Sequence, residues 1–108
     1  MGAQAAQVLT EQEEKNAIAD SILQGIIEMQ PRLRERASKA KEDRRVPQES
    51  VQELQDLGFF LAMQPKRYGG YELDPQHFFK FSMAIAEGCM STSWAMGIVA
   101  VHPFQLAL

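Results

Sequence analysis

Residues 57–75, LGFFLAMQPKRYGGYELDP, join two stretches of helical character through a segment that holds two prolines and the pair Gly69-Gly70. Upstream, VPQESVQELQDLG reads as a short helix with Pro47 at its first turn, Val51, Leu54 and Leu57 on one face, and Gly58 placed to end it. FFLAMQP is too short for a helix of its own and is closed by Pro65, so it reads as extended, buried chain. Gly69-Gly70 gives the backbone freedom for a reversal, and Asp74-Pro75 supplies an N-cap followed by a proline at the first helical position. The segment therefore delivers the chain into a new helix.

That helix, about Pro75 to Glu87, carries Phe78, Phe79, Phe81, Met83, Ile85 and Ala86 around most of its circumference, leaving Gln76, Lys80 and Glu87 as a narrow polar strip. A helix apolar nearly all round has to be buried on several sides. GCMSTS follows as a turn with Ser91 or Thr92 as the next N-cap, and WAMGIVAVHPFQLAL reads as a further, mostly apolar helix. Toward the amino terminus, Ile18, Ile22, Ile26, Met29 and Leu33 recur at three- and four-residue steps, with Leu23 and Ile27 widening the stripe. Pro31 predicts a kink near Gln30 or a break into two helices. Residues 1–13 read as a flexible leader and residues 14–108 as one helical domain. The fold class is all-α.

The 108 residues are 45% hydrophobic and 23% charged with a net charge of −3, the profile of a single folded domain with no global attraction to nucleic acid or anionic membrane. RLRERASKAKEDRR, residues 32–45, holds seven basic and three acidic side chains. Its acids interleave with its bases at helical spacing, as Glu35 with Lys39, and it has no aromatic residue on which a base would stack, so it reads as a solvated helix face. One cysteine, Cys89, excludes a disulfide framework and a multi-cysteine metal site, and reads as a small buried side chain. No metal-ligand spacing appears, no apolar run is long enough to span a membrane, and a cytoplasmic setting is expected. His77, near a helix start, reads as surface. The apolar run reaches Leu108 without a polar last turn or a glycine cap, and the two apolar helices have more surface than the others can cover. The expectation is a fragment, cut within its last helix.

The run LGFFLAMQPKRYGGYELDP followed by FFKFSMAIAEGCMSTSWAMGIVAVHPFQLAL resembles the amino-terminal helical domain of the acyl-CoA dehydrogenase superfamily over residues 43–108. The Ser-Thr, the Trp and the His-Pro before Leu-Ala-Leu are similar to the oxygenase components of flavin-dependent aromatic hydroxylases of the 4-hydroxyphenylacetate and secosteroid-phenol types. The resemblance implies a chain lacking the central β domain and carboxy-terminal four-helix bundle that supply most flavin contacts. It implies hydroxylation of a small aromatic substrate with reduced FAD or FMN and oxygen, a separate flavin reductase, and a homo-oligomer, a tetramer by resemblance. The isolated chain is then expected neither to hold flavin tightly nor to turn over.

By the same resemblance His102 is the catalytic residue, touching substrate, and Ser93 and Trp94 stand with it at the substrate and flavin pocket. Histidine suits a hydrogen-bonding or proton-accepting role at a phenol oxygen because its pKa lies near 6.5. Eight residues of helix turn by about 80° net, which sets Trp94 and His102 two turns apart on neighbouring faces, and Pro103 can open the backbone beside His102. Purely structural readings compete: His102 as a core histidine bonded to a carbonyl, Trp94, Phe78 and Phe79 as core, Ser91 to Ser93 as caps, and Lys66 with Arg67 as a solvated pair. Two other functions fit the pattern, an acyl-CoA dehydrogenase whose carboxylate base lies outside this sequence and a non-catalytic helical interaction module.

Overall fold

The computed structural model describes the backbone of residues 2–107 and the side chains of residues 11–102. It contains four α-helices, α1 (Gly2–Asp43), α2 (Gln48–Leu57), α3 (Pro75–Gly88) and α4 (Met90–Ala107), with two 3-10 turns, Phe59–Leu61 and Lys66–Tyr68, between α2 and α3. No strand occurs among the described residues, so the fold is all-α. Nor, among them, is any helix long and apolar enough to cross a membrane.

Pro31 does not break α1, which runs as a single helix of 42 residues, back through the stretch read as a leader. A proline removes one backbone donor and crowds one turn. Here its ring lies on the exposed side, while Ile26, Met29 and Leu33 on the opposite face are buried. Beside it the Gln30 side-chain amide donates to the Ala84 carbonyl at 2.9 Å and to the Glu87 carboxylate at 3.2 Å. Packing against α3 on both sides of the proline holds the helical path.

The apolar stripe of α1 forms one continuous core with α2, α3 and the segment between them. Phe59 is its centre: its ring stacks on Phe78 at 6.0 Å and meets Phe81 and Phe60 edge-on at 6.4 and 5.3 Å. The basic stretch of α1 is largely exposed, as expected, but its recorded ion pairs do not run along its own helix. Arg32 and Arg36 instead converge on Glu53 of α2 at 2.8 and 2.7 Å. Partial burial pushes the Glu53 carboxyl up, and the hydrogen bonds and charges of Arg32 and Arg36 outweigh that and hold it below its ordinary value.

Between α2 and α3 the chain departs from the extended run expected for FFLAMQP. Pro47 is the N-cap of α2, and Gly58 ends it with φ of 87°, its N–H bonded back to Gln55 and Leu54. Phe59–Leu61 then closes into a 3-10 turn, with Leu61 N–H donating to the Gly58 carbonyl at 3.0 Å and Ala62 N–H to that of Phe59 at 3.2 Å. Burial is as expected for Phe59, Ala62 and Met63. The turn satisfies polar groups locally in a place where no neighbouring strand exists to accept them. Carbonyls left over are taken by the returning chain: Tyr71 donates to Leu61, Glu72 to Gln64 and Leu73 to Ala62, at 2.9, 3.0 and 2.7 Å.

The reversal itself uses both glycines. Gly69 has φ of 85° and ends the second 3-10 turn, and Gly70 lies so close to the Gln64 backbone that a Cβ would overlap its carbonyl. Asp74 and Pro75 occupy the N-cap and first helical positions of α3, the cap being made by the Asp74 carbonyl to His77 N–H at 3.0 Å rather than by its carboxylate.

Candidate functional site

α3 and α4 are consecutive, joined through Cys89 alone, whose backbone is extended at φ −157° and ψ 111°. The turn expected from GCMSTS is therefore a single residue. The cap expected at Ser91 or Thr92 falls on Cys89, whose carbonyl accepts from Ser93 N–H at 3.1 Å. The serines and threonine are thereby drawn into the first turn of α4. Ser93 Oγ donates to the Ser82 carbonyl at 2.7 Å and ties the two helices together just beyond their joint.

From that tie the helices enclose a groove of about 360 Å³, with Phe78, Phe79 and Ser82 on the α3 side and Ser93, Trp94 and Gly97 on the α4 side. A methyl at Gly97 would stand in ordinary contact, 3.9 Å, with both Phe78 and the Ser82 hydroxyl across the groove. The walls are apolar apart from the two serines. With its proton committed to Ser82, the Ser93 hydroxyl has acceptor capacity left for a ligand donor.

Of the three residues picked from sequence, the structure brings Ser93 and Trp94 to this groove and leaves His102 off it. Trp94 is 74% exposed and Phe79 62%, so neither is a core aromatic as the structural reading had it, while Phe78 is. His102 is exposed on α4, which continues in helical form through Pro103 to Ala107. By helical geometry it lies about 80° round from Trp94 and roughly 12 Å further along. It is not a core histidine. Around it the surface is apolar, with Ile98 and Val99 exposed on the preceding turn.

Ser82 and Phe79 were not singled out from sequence as groove residues. The signal for Ser82 was present, a small polar residue within the apolar circumference of α3 and off its charged strip. His77, expected at the surface, is half-buried, and its Nε2 is enclosed without a partner among the described residues. Cys89 is buried as expected.

The Acyl-CoA dehydrogenase, N-terminal domain family matches residues 12–106. The chain belongs to that family. This acyl-CoA dehydrogenase N-terminal domain is 42% identical over 90 residues, 83% of its length, to the flavin-dependent monooxygenase oxygenase subunit HsaA of Mycobacterium tuberculosis. It is 34% identical over 88 residues, 82% of its length, to the p-hydroxyphenylacetate 3-hydroxylase oxygenase component of Acinetobacter baumannii. The crystal structure of the HsaA monooxygenase from M. tuberculosis superposes on 82% of the chain with a TM-score of 0.79 at 42% identity. The domain spans about a quarter of the length of these relatives, 23%, 21% and 24% respectively.

Proposed function

We propose that this domain is the amino-terminal part of a flavin-dependent monooxygenase, and that the α3–α4 groove forms one wall of its flavin and substrate cavity. The observation that carries the reading is the open apolar groove with Trp94 exposed at its edge and the Ser82–Ser93 pair set into it. Such a surface fits a planar aromatic ring with a hydrogen-bonding rim. Reduced flavin, FAD or FMN, supplies the activation of oxygen, and the substrate is a phenolic or other small aromatic molecule. Support comes from relatives named as oxygenase subunits and components of flavin-dependent enzymes acting on aromatic rings.

In this reading Trp94 walls the cavity, Ser93 accepts a hydrogen bond, and His102 accepts one, or the proton, from the phenol oxygen. A ligand touching both Trp94 and His102 extends along α4 past the end of the groove. The oxygenase works with a separate flavin reductase, as a homo-oligomer in the cytoplasm.

The test is His102→Asn in the whole protein that contains these residues. Hydroxylation with reduced flavin is expected to fall by about 10²–10⁴-fold, the usual contribution of a positioned acid or base. Thermal stability should hold within roughly 0.5 kcal/mol, as for exposed substitutions. Unchanged turnover sinks the assignment of His102, and reduction of bound flavin on adding an acyl-CoA identifies a dehydrogenase instead.

A further inference from the structure

A second cleft, of about 320 Å³, opens where the end of α1 meets the start of α4. Lys41, Arg44 and Arg45 line one side, and Ser91, Thr92 and Ala95 the other. The acids next to these cations in sequence, Glu42 and Asp43, do not line it. Among the described residues the ion pairs all go to Glu53 from Arg32 and Arg36, so none engages the cations of the cleft.

The arrangement is built by the end of α1. Arg44 takes the left-handed conformation with φ of 55°, uncommon for a residue with a side chain, and Arg45 N–H donates back to the Ala40 carbonyl at 3.3 Å. That reversal folds both arginines over the helix end. Over residues 41–45 the three cations outnumber Glu42 and Asp43 by one charge, and the cations are the ones that face the cleft.

The facing side is suited to an anion. α4 is 18 residues long, its first turn contains no acidic side chain, and its first N–H groups have no intrahelical acceptor. Thr92 is 1% exposed yet lines the cleft. Among the described residues the side-chain hydrogen bond at this joint comes from Ser93, and Thr92 makes none. A threonine set into the wall of the cleft can offer its hydroxyl to a ligand there.

We infer that this cleft binds the phosphate of a small phosphorylated ligand. Arg44, Arg45 and Lys41 neutralise the phosphate, Thr92 and the first N–H groups of α4 bond its oxygens, and Ala40, Val46 and Ala95 pack against the organic part. The inference does not depend on the monooxygenase reading. The same chemistry has two sources, the phosphate of a flavin nucleotide or that of a phosphorylated molecule without a flavin.

The experiment is calorimetric titration of the 108-residue chain with inorganic pyrophosphate, FMN and riboflavin at fixed ionic strength, with helicity of every variant checked by circular dichroism. Pyrophosphate is expected to bind saturably and to weaken as salt rises. R44Q and R45Q should each weaken it by about tenfold, as for loss of a charge-assisted contact, and T92V should weaken it severalfold, while R67Q in the distant loop leaves it unchanged. FMN binding at least tenfold tighter than pyrophosphate, with riboflavin silent, assigns the flavin nucleotide. Equal binding of FMN and pyrophosphate assigns the other source. No saturable pyrophosphate binding, binding unaltered in R44Q and R45Q, or riboflavin binding as well as FMN overturns the site.

Discussion

At the scale of single residues, Gly69 and Gly70 stand next to each other and are glycine for different reasons. At Gly69 the constraint is its φ of 85°, with nothing within 4 Å of where a Cβ would go, whereas at Gly70 the constraint is the Gln64 backbone. Gly69→Ala is therefore expected to cost about 1 kcal/mol, the strain of a left-handed residue. Gly70→Ala should cost about 3 kcal/mol, because backbone rather than a flexible side chain must move. Urea unfolding of both variants checks the order, and equal costs would show that the loop yields freely. Glu53 makes a second prediction. Its carboxyl is held below its ordinary value of 4.5 by Arg32 and Arg36. A depressed carboxyl contributes stability above its unfolded-state value and loses it as pH falls through the folded one. Glu53→Gln should thus cost about 1 kcal/mol at neutral pH, through the half-buried pair with Arg36. The difference from the parent should close as pH drops below 4.5. A gap that persists in acid would mean that packing, not charge, is lost. Of these features, the two glycines and Asp74-Pro75 could be read directly from sequence because turns and caps are local chemistry. The partner of Arg32 and Arg36 could not, because Glu53 is on another helix.

The elements were legible where periodicity was long and obscured where tertiary packing overrode local signals. Five apolar residues of α1 at three- and four-residue steps identified a helix; Ile22, Ile26, Met29 and Leu33 are buried and Ile18 half-buried, while Ile27, expected to widen the stripe, is exposed. Pro31 pointed to a kink or a break, and the break does not occur where Gln30 and Leu33 pack on α3 to either side of it. Replacing it restores one N–H on an exposed face without disturbing those contacts. Pro31→Ala is accordingly expected to raise the unfolding free energy by about 1–3 kcal/mol, within the penalty of an internal proline. A lower urea midpoint instead would show that the packing of α1 on α3 requires the shape the proline imposes. The start of α4 was misplaced for a related reason. Ser91 and Thr92 have the chemistry of caps, but the Ser93–Ser82 bond and burial of Cys89 shorten the connection to one residue. Of the basic cleft the sequence showed only the basic stretch 32–45, read as a solvated face, since the cleft needs residues 41–45 and 91–95 brought together by the packing of α1 on α4.

On the scale of the whole molecule, the radius of gyration is 15.3 Å, above the ~13 Å of a compact chain this long. The excess comes from α1, which at 42 residues sets the 58 Å long dimension. The four helices share one core, yet Phe79, Met83, Met90, Trp94 and Val99 are left in solvent on α3 and α4. Sequence pattern anticipated that surplus of apolar surface, though not which side chains form it, because choosing the buried face of a helix apolar all round requires its neighbours. An exposed patch of this kind favours association. Sedimentation of the 108-residue chain should show concentration-dependent growth in mass, and the double variant Met83→Lys, Val99→Glu should remain monomeric. A monomer at every concentration would mean that the patch is too divided to act as one surface. The single-residue joint at Cys89 has one more consequence. Its thiol, the only one in the chain, is buried in the core the helices share and comes within reach of a reagent only when that core opens. The rate of its alkylation under native conditions is therefore a built-in clock for the opening of that core, readable without attaching any label beforehand.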